Sequence, residues 1–222
     1  MLTLYHCIDA RSFRPLWALE ELGLAYELKM LEFPPRVQNK QFLSINPLGT
    51  VPAFFDGPTC MTESAAICHY LAMKYGPPTL APDVVEADFG AYLNWLHFGE
   101  STLTFPLTIV LRYGSFEPGE RRLPQAVLDY RRWFLGRLRK LEPLLACHST
   151  VCAGRFTMAD ISVGYALMLA EIMGLQDEFP ESVRAYLERL KQRDGFKRAC
   201  AAQERAAREQ GVSTRSAALA PG

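Results

Sequence analysis

The sequence predicts an α/β unit followed by an all-α unit, and three observations carry this. Residues 1–76 alternate short runs of period two with helical runs, in the order β-α-β, short helix, β-β-α. Gly76-Pro77-Pro78 then breaks the chain, with Pro82 close behind. Beyond the break, strand patterning gives way to helical stretches alone. The expected division is 1–78, then 85–209, then a flexible tail over 210–222, rich in Ala, Ser and Gly.

The first strand is expected over residues 2–6. Phe13, Leu16, Trp17 and Leu19 follow at helical spacing, with Pro15 suited to a first turn and Gly23 to a C-terminal stop. Tyr26, Leu28 and Met30 alternate with their neighbours as a strand does. A short polar helix is expected over 39–45. Asn46-Pro47-Leu48-Gly49 reads as a turn, 52–55 and 59–62 as strands around Asp56-Gly57-Pro58, and 63–75 as a helix. In the second unit, helices are expected over 85–113, 124–146, 157–173, 181–193 and 194–209.

The 222 residues carry 24 basic and 24 acidic side chains and 49% hydrophobic residues, which is ordinary globular composition. Zero net charge argues against a nucleic-acid binder, which would carry a basic stripe, and against electrostatic attachment to anionic membranes. No apolar run approaches the roughly 18 residues of a membrane span. The first residues lack a basic and then long apolar leader, so the cytoplasm is the expected compartment. None of the six cysteines forms a C-x-x-C pair, so reduced, mostly buried thiols are expected. The four histidines show no metal-ligand spacing, and no metal site is expected.

Three places carry candidate chemistry. Val51-Pro52 follows the 46–50 turn into an apolar strand. A cis bond is feasible there and would expose the Val51 amide and carbonyl to a peptide-like ligand; the plainer reading is a tight turn. Thr62-Glu63-Ser64 stands where a strand meets a helix. Free amides and a positive dipole end suit a carboxylate there, the Ser64 hydroxyl adds a donor, and Glu63 suits an ammonium group; the plainer reading is helix capping. In Cys7-Ile8-Asp9-Ala10-Arg11-Ser12, amides, a hydroxyl and a cation meet at a helix N-terminus, an environment that lowers a nearby thiol's pKa. The plainer reading makes Ser12 an N-cap.

Taken in order, Ala10-Arg11-Ser12-Phe13-Arg14, 17–24, Asn46 to Pro52 and Thr62 to Ile67 resemble the N-terminal half of a bacterial cytosolic glutathione S-transferase. Gly154-Arg155-Phe156-Thr157-Met158-Ala159-Asp160-Ile161 resembles that family's C-terminal signature, so the likeness covers roughly residues 1–200. It implies a thioredoxin-like domain followed by an all-helical domain. It further implies that Val51, before a cis Pro52, pairs with the cysteinyl part of glutathione, and that Glu63 and Ser64 grip the γ-glutamyl end. Lys40 and Gln38 are candidates for the glycine carboxylate. Relatives with a Ser-Arg-Ser-x-Arg pattern have serine where this chain has Ala10, which leaves Ser12 and Arg11 as the expected thiol donors. Cys7 lies too near the strand end to match a catalytic cysteine. Thr157-x-x-Asp160 reads as a capping box with a folding role. Trp95, Phe98, Phe105 and Pro106, with Tyr113, form an aromatic stripe on the first long helix whose plainer reading is core; the resemblance implies that this helix lines the electrophile pocket, so that some of them face a ligand.

The expected activity is transfer of glutathione, bound as a thiolate, to a small hydrophobic electrophile: a detoxification reaction needing glutathione as co-substrate and no other cofactor. The resemblance implies a homodimer. Two alternatives stand beside it: glutathione-dependent disulfide or peroxide reduction on the same fold, and a non-catalytic interaction protein.

Overall fold

The computed structural model describes residues 1–77 and 79–219. These fall into two compact units, 1–77 with 192–217, and 79–191 with the last described residues.

The first unit is built on β1 (Leu2–His6), α1 (Phe13–Leu22), β2 (Tyr26–Met30), α2 (Pro35–Gln38), β3 (Ala53–Asp56), β4 (Thr59–Met61) and α3 (Ser64–Tyr75). The sheet order is β2-β1-β3-β4. β1 runs parallel to β2, with Leu4 opposite Leu28, and antiparallel to β3, with Leu4 opposite Phe54. β3 pairs antiparallel with β4, Phe54 opposite Met61. This is the mixed four-stranded sheet of a thioredoxin-like domain. Its register gathers one end of every strand together: the C-terminal ends of β1, β2 and β4 and the N-terminal end of β3. The segments that follow or precede those ends are 7–12, 31–40, 62–64 and 46–52.

α1 ends where the pattern placed its stop. Gly23 takes φ +63°, its amide donates to the Glu20 carbonyl, and the Leu24 amide donates to that of Leu19. This double closure satisfies two of the carbonyls a helix end leaves open. The expected helix over 39–45 is instead α2 followed by a 3₁₀ turn, Lys40–Ser44. The Asn39 side chain divides them by accepting from the Phe42 amide at 3.3 Å.

The second unit holds α4 (Phe89–His97), α5 (Phe105–Leu111), α6 (Pro124–Cys147), α7 (Met158–Ile172) and α8 (Glu181–Lys191). The single helix expected over 85–113 begins at Phe89 and is interrupted by π-helical turns at Phe98–Thr104 and Arg112–Phe116. Pro106 has no amide hydrogen to offer the carbonyl four residues back. Thr104 and Thr108 donate their hydroxyls to the carbonyls of Gly99 and Thr104, a back-bonding that bends helices. At the crossing with α7 a Cβ on Gly99 would lie 2.5 Å from the Ser162 backbone, and Ser162 Oγ donates to the Leu96 carbonyl at 2.6 Å. The capping box is present at the start of α7: the Ala159 amide donates to Thr157 Oγ1 and the Thr157 amide to Asp160 Oδ2.

The unit boundary differs from the one drawn at 85–209. α9 (Asp194–Glu209) packs on α1 and β2, within the first unit. Phe196 meets Trp17 edge-on at 5.0 Å and Phe13 at 5.6 Å. Arg193 donates twice to the nearly buried Glu21 carboxylate, at 2.8 Å each. The tail expected from 210 onward is held as far as 217. Gln210 accepts from the Met30 amide and donates to the Leu28 carbonyl, pairing with the outer edge of β2. The Ser213 amide donates to Glu32, and Ser216 is buried. An edge strand's unpaired groups invite such cover, which tail composition does not reveal. Residues 220–222 lie outside the described residues.

Candidate functional site

The segment from β1 to α1 is held from beneath by α9. The Asp9 amide donates to Gln203 Oε1 at 3.2 Å, and Gln203 Nε2 donates to Asp9 Oδ1 at 2.8 Å. Asp9 itself sits at φ +53°, a left-handed conformation uncommon outside glycine but adopted by aspartate more readily than by most residues. Burial raises the Asp9 pKa, opposed by hydrogen bonds from Gln203 and Ser216.

This pairing settles a proton position. An amide N–H only donates, so the atom of Gln203 facing Asp9 N is the acceptor oxygen. His6 Nε2 lies 2.9 Å from that same oxygen and therefore carries the hydrogen. His6 is fully buried, and burial lowers its pKa to about 4 against the raising effect of its bonds to Gln203 and Ser12. It is neutral at pH 7, so its Nδ1 is an acceptor. Ser12 Oγ stands 2.7 Å from Nδ1 and donates to it, while Ser12 Oγ accepts from the Cys7 amide at 3.4 Å.

Ser12 was expected to offer its hydroxyl to a bound thiol. The structure places it elsewhere: the side chain is fully buried, its proton is given to His6, and it makes no side-chain cap to α1. Arg11 is partly exposed, as are Asp9 and Ala10 before it. Cys7 is fully buried, packed with Leu31, Phe42, Val51 and Ala53. Burial, with the Glu32 charge adding, pushes its thiol up to about 12, so it stays protonated and unreactive.

The other expected residues stand around the same end of the sheet. Val51–Pro52 is cis, as is Phe33–Pro34. The preceding turn is shaped by Asn46, which accepts from the Leu48 amide and donates to the Thr50 carbonyl, and by Gly49. Gly49 takes φ +60°, and a Cβ there would lie 2.6 Å from Cβ of Arg36. Gln38 and Lys40 are exposed on the segment after β2.

Glu63 is exposed at the N-cap of α3, with no cap bond from its side chain. Ser64 is buried, and Oγ accepts from Arg14 Nη1 at 3.1 Å. Arg14 is itself fully buried. A guanidinium only donates, so it occupies a lone pair of the Ser64 oxygen and leaves that hydroxyl's proton for another acceptor. His6, Arg14 and Gln203 did not figure among the expected site residues.

In the second unit a shallow cavity of about 330 Å³ is lined by Leu93, Asn94, His97, Phe98, Ser101 and Thr102, on α4 and the π turn after it. Of the expected pocket aromatics, Phe98 lines it; Trp95 is buried and Phe105 is half-exposed. Among the described residues no cluster of three or more His, Cys, Asp or Glu side chains could hold a metal ion. No helix among them is long and apolar enough to cross a membrane.

Residues 1–73 match the family described as glutathione S-transferase, N-terminal domain. The chain is 35% identical over 103 residues to glutathione S-transferase 3 of Schizosaccharomyces pombe, a match spanning 46% of this chain and 43% of that relative. It is 30% identical over 158 residues to glutathione S-transferase hmp2 of Hypomyces subiculosus, spanning 67% of this chain and 73% of the relative. Among solved structures, a sphingomonad glutathione S-transferase complexed with glutathione superposes with TM-score 0.79 at 25% identity, covering 91% of this chain and 98% of that one. With the thioredoxin-like sheet, the helical second unit and a likeness running through most of the Hypomyces protein, the chain belongs to the glutathione S-transferase family.

Proposed function

We propose that the protein binds glutathione at the sheet end bounded by residues 7–12, Val51–Pro52 and the start of α3, and transfers it as a thiolate to a small hydrophobic electrophile. The observation that carries this reading is the register of the sheet, which gathers the three segments at one end. The Val51 main chain pairs with the cysteinyl part. Ser64 donates to the γ-glutamyl carboxylate at the start of α3, where helix amides favour an anion, and Glu63 accepts from the ammonium group. Gln38 and Lys40 are the residues for the glycine carboxylate.

A free thiol of pKa about 8.5 is roughly 3% ionised at pH 7. Lowering that pKa by about two units requires about 2.7 kcal/mol of preferential thiolate stabilisation. Because the Ser12 hydroxyl is committed to His6, this task falls to Arg11 and to the main-chain amides of the turn. With an aryl halide the thiol gives up its proton, the thiolate forms a carbon–sulfur bond and the carbon–halogen bond breaks to release halide, so there is no net electron transfer and no cofactor is called for beyond glutathione itself. Burial of Cys7 speaks for this scheme over a cysteine-based reductase. A bacterial subgroup, the cytoplasm, a role in detoxification and a homodimer belong to the same proposal.

Calorimetry with glutathione and conjugation of an aryl halide test it. The wild type binds and conjugates. Ser64→Ala weakens binding by about 1.5–3 kcal/mol, as for a hydrogen bond to a charged group, and also lowers thermal stability, because the buried Arg14 guanidinium loses this acceptor. No glutathione binding by the wild-type protein would reject the proposal.

A further inference from the structure

We propose that Gln203, on the C-terminal helix, is a positioning residue for the thiol-activating turn: it clamps Asp9 and fixes the hydrogen of His6 on Nε2. The inference deepens the glutathione reading and rests on it for its effect on the thiol, although the clamp itself needs no ligand.

One amide group closes three bonds in a buried setting. Gln203 is 5% exposed. Oε1 accepts from the Asp9 amide at 3.2 Å and from His6 Nε2 at 2.9 Å, and Nε2 donates to Asp9 Oδ1 at 2.8 Å. Both the main chain and the side chain of the turn's left-handed residue are thus held from a helix almost two hundred residues away. An apolar side chain at 203 would leave the Asp9 amide and His6 Nε2 without an acceptor. A neutral imidazole freed of that acceptor can move its hydrogen to Nδ1 and donate to Ser12 Oγ instead. Asp9 would then lose its two bonds to Gln203 and keep the one from Ser216, loosening its hold at φ +53° and the aim of the amides and Arg11 beyond it. Displacements of such a kind, remote from the chemistry, are costly because activation depends on orientation.

Gln210 provides the matched control. It sits in the same C-terminal segment and binds the same unit through both amide atoms, but to Leu28 and Met30 on the edge of β2 and not to the turn. Gln203→Leu and Gln210→Leu each remove an amide clamp; only the first touches residues 6–12. The measurements are thermal stability, the ¹⁵N chemical shifts of the His6 ring, and the thiolate absorbance of bound glutathione against pH.

The expected result has three parts. Wild-type His6 shows a protonated Nε2 and bare Nδ1 without glutathione present. Gln203→Leu raises the bound thiol's pKa by about one unit, so conjugation at neutral pH slows up to tenfold, whereas Gln210→Leu lowers stability alone. Gln203→Glu keeps an acceptor for His6 but sets an oxygen against Asp9 Oδ1 where the amide nitrogen donates, so it keeps the hydrogen on His6 Nε2 and recovers no rate. It also covers the case in which the leucine variant fails to fold. A wild-type His6 protonated on Nδ1 overturns the proposal. So does a bound-thiol titration equally unmoved in the Gln203 and Gln210 variants. A wild-type protein that binds no glutathione rejects the glutathione reading instead, and the ring shifts then still decide the clamp.

Discussion

Ser12 illustrates how much one hydroxyl's partners decide. Its place at the start of α1 suits a thiol donor, yet its proton goes to a histidine that burial keeps neutral. Ser12→Ala therefore leaves the titration of the bound thiol where the wild type has it. The cost appears in stability, because His6 Nδ1 and the Cys7 amide lose a buried partner. A deletion of this kind costs about 1–3 kcal/mol, to be read from urea unfolding. A bound-thiol pKa that rises in this variant would return Ser12 to the catalytic role. His6 also sets an acid limit. Burial holds its folded pKa at about 4, below the ordinary imidazole value of about 6.5. The unfolded chain thus binds the proton more readily, and stability falls as pH drops from about 6.5 towards 4. Unfolding free energies measured between pH 7 and 4 show this slope in the wild type and a shallower one in His6→Asn; identical slopes would place the titrating group elsewhere.

At the scale of elements, the capping box of α7 has a load that a short motif does not advertise. Asp160 accepts from the Thr157 amide, the Thr157 hydroxyl, the Val151 amide and the Tyr186 hydroxyl, the last at 2.8 Å from α8. Burial raises its pKa while those bonds oppose the rise. Thr157→Ala is expected to cost about 1–2 kcal/mol, the usual loss of a cap. Asp160→Ala costs more, since each of the three donors besides the Thr157 hydroxyl is left buried at about 1–3 kcal/mol apiece. Chemical unfolding of both variants checks the order, with glutathione affinity unchanged in the folded fraction. The same element scale shows what the sequence made legible. β1, α9 and the α1 stop follow from periodicity and a glycine, which act locally. The breaks within 85–113 do not, because Thr104 and Thr108 bond back to the main chain inside a run that still reads as apolar and helical.

At the scale of the whole molecule, the three loops of the candidate site were legible as motifs, and their meeting place follows from strand order. The supports beneath them were not. No spacing rule links Gln203 to His6 or Arg14 to Ser64; only the packing of α9 and α3 on α1 brings them together. Assembly is the remaining question at this scale. Exposed apolar side chains accumulate on α5 and α6, where half-exposed Phe105 meets Tyr130 edge-on and Tyr130 stacks on half-exposed Trp133 at 5.7 Å. The Arg137 guanidinium lies over the Trp133 ring, 4.6 Å from its centroid. Aromatic and arginine side chains are enriched at protein interfaces, and a formal net charge of zero does not oppose association. The proposed homodimer thus predicts a light-scattering mass near twice the 25.0 kDa of the chain at micromolar concentration. Trp133→Glu places a charge in the aromatic row, and if the row lies in the interface it shifts the mass towards the monomer while each chain keeps its helical circular dichroism. A wild-type mass of one chain rejects the dimer, and a variant that stays dimeric moves the interface to another face.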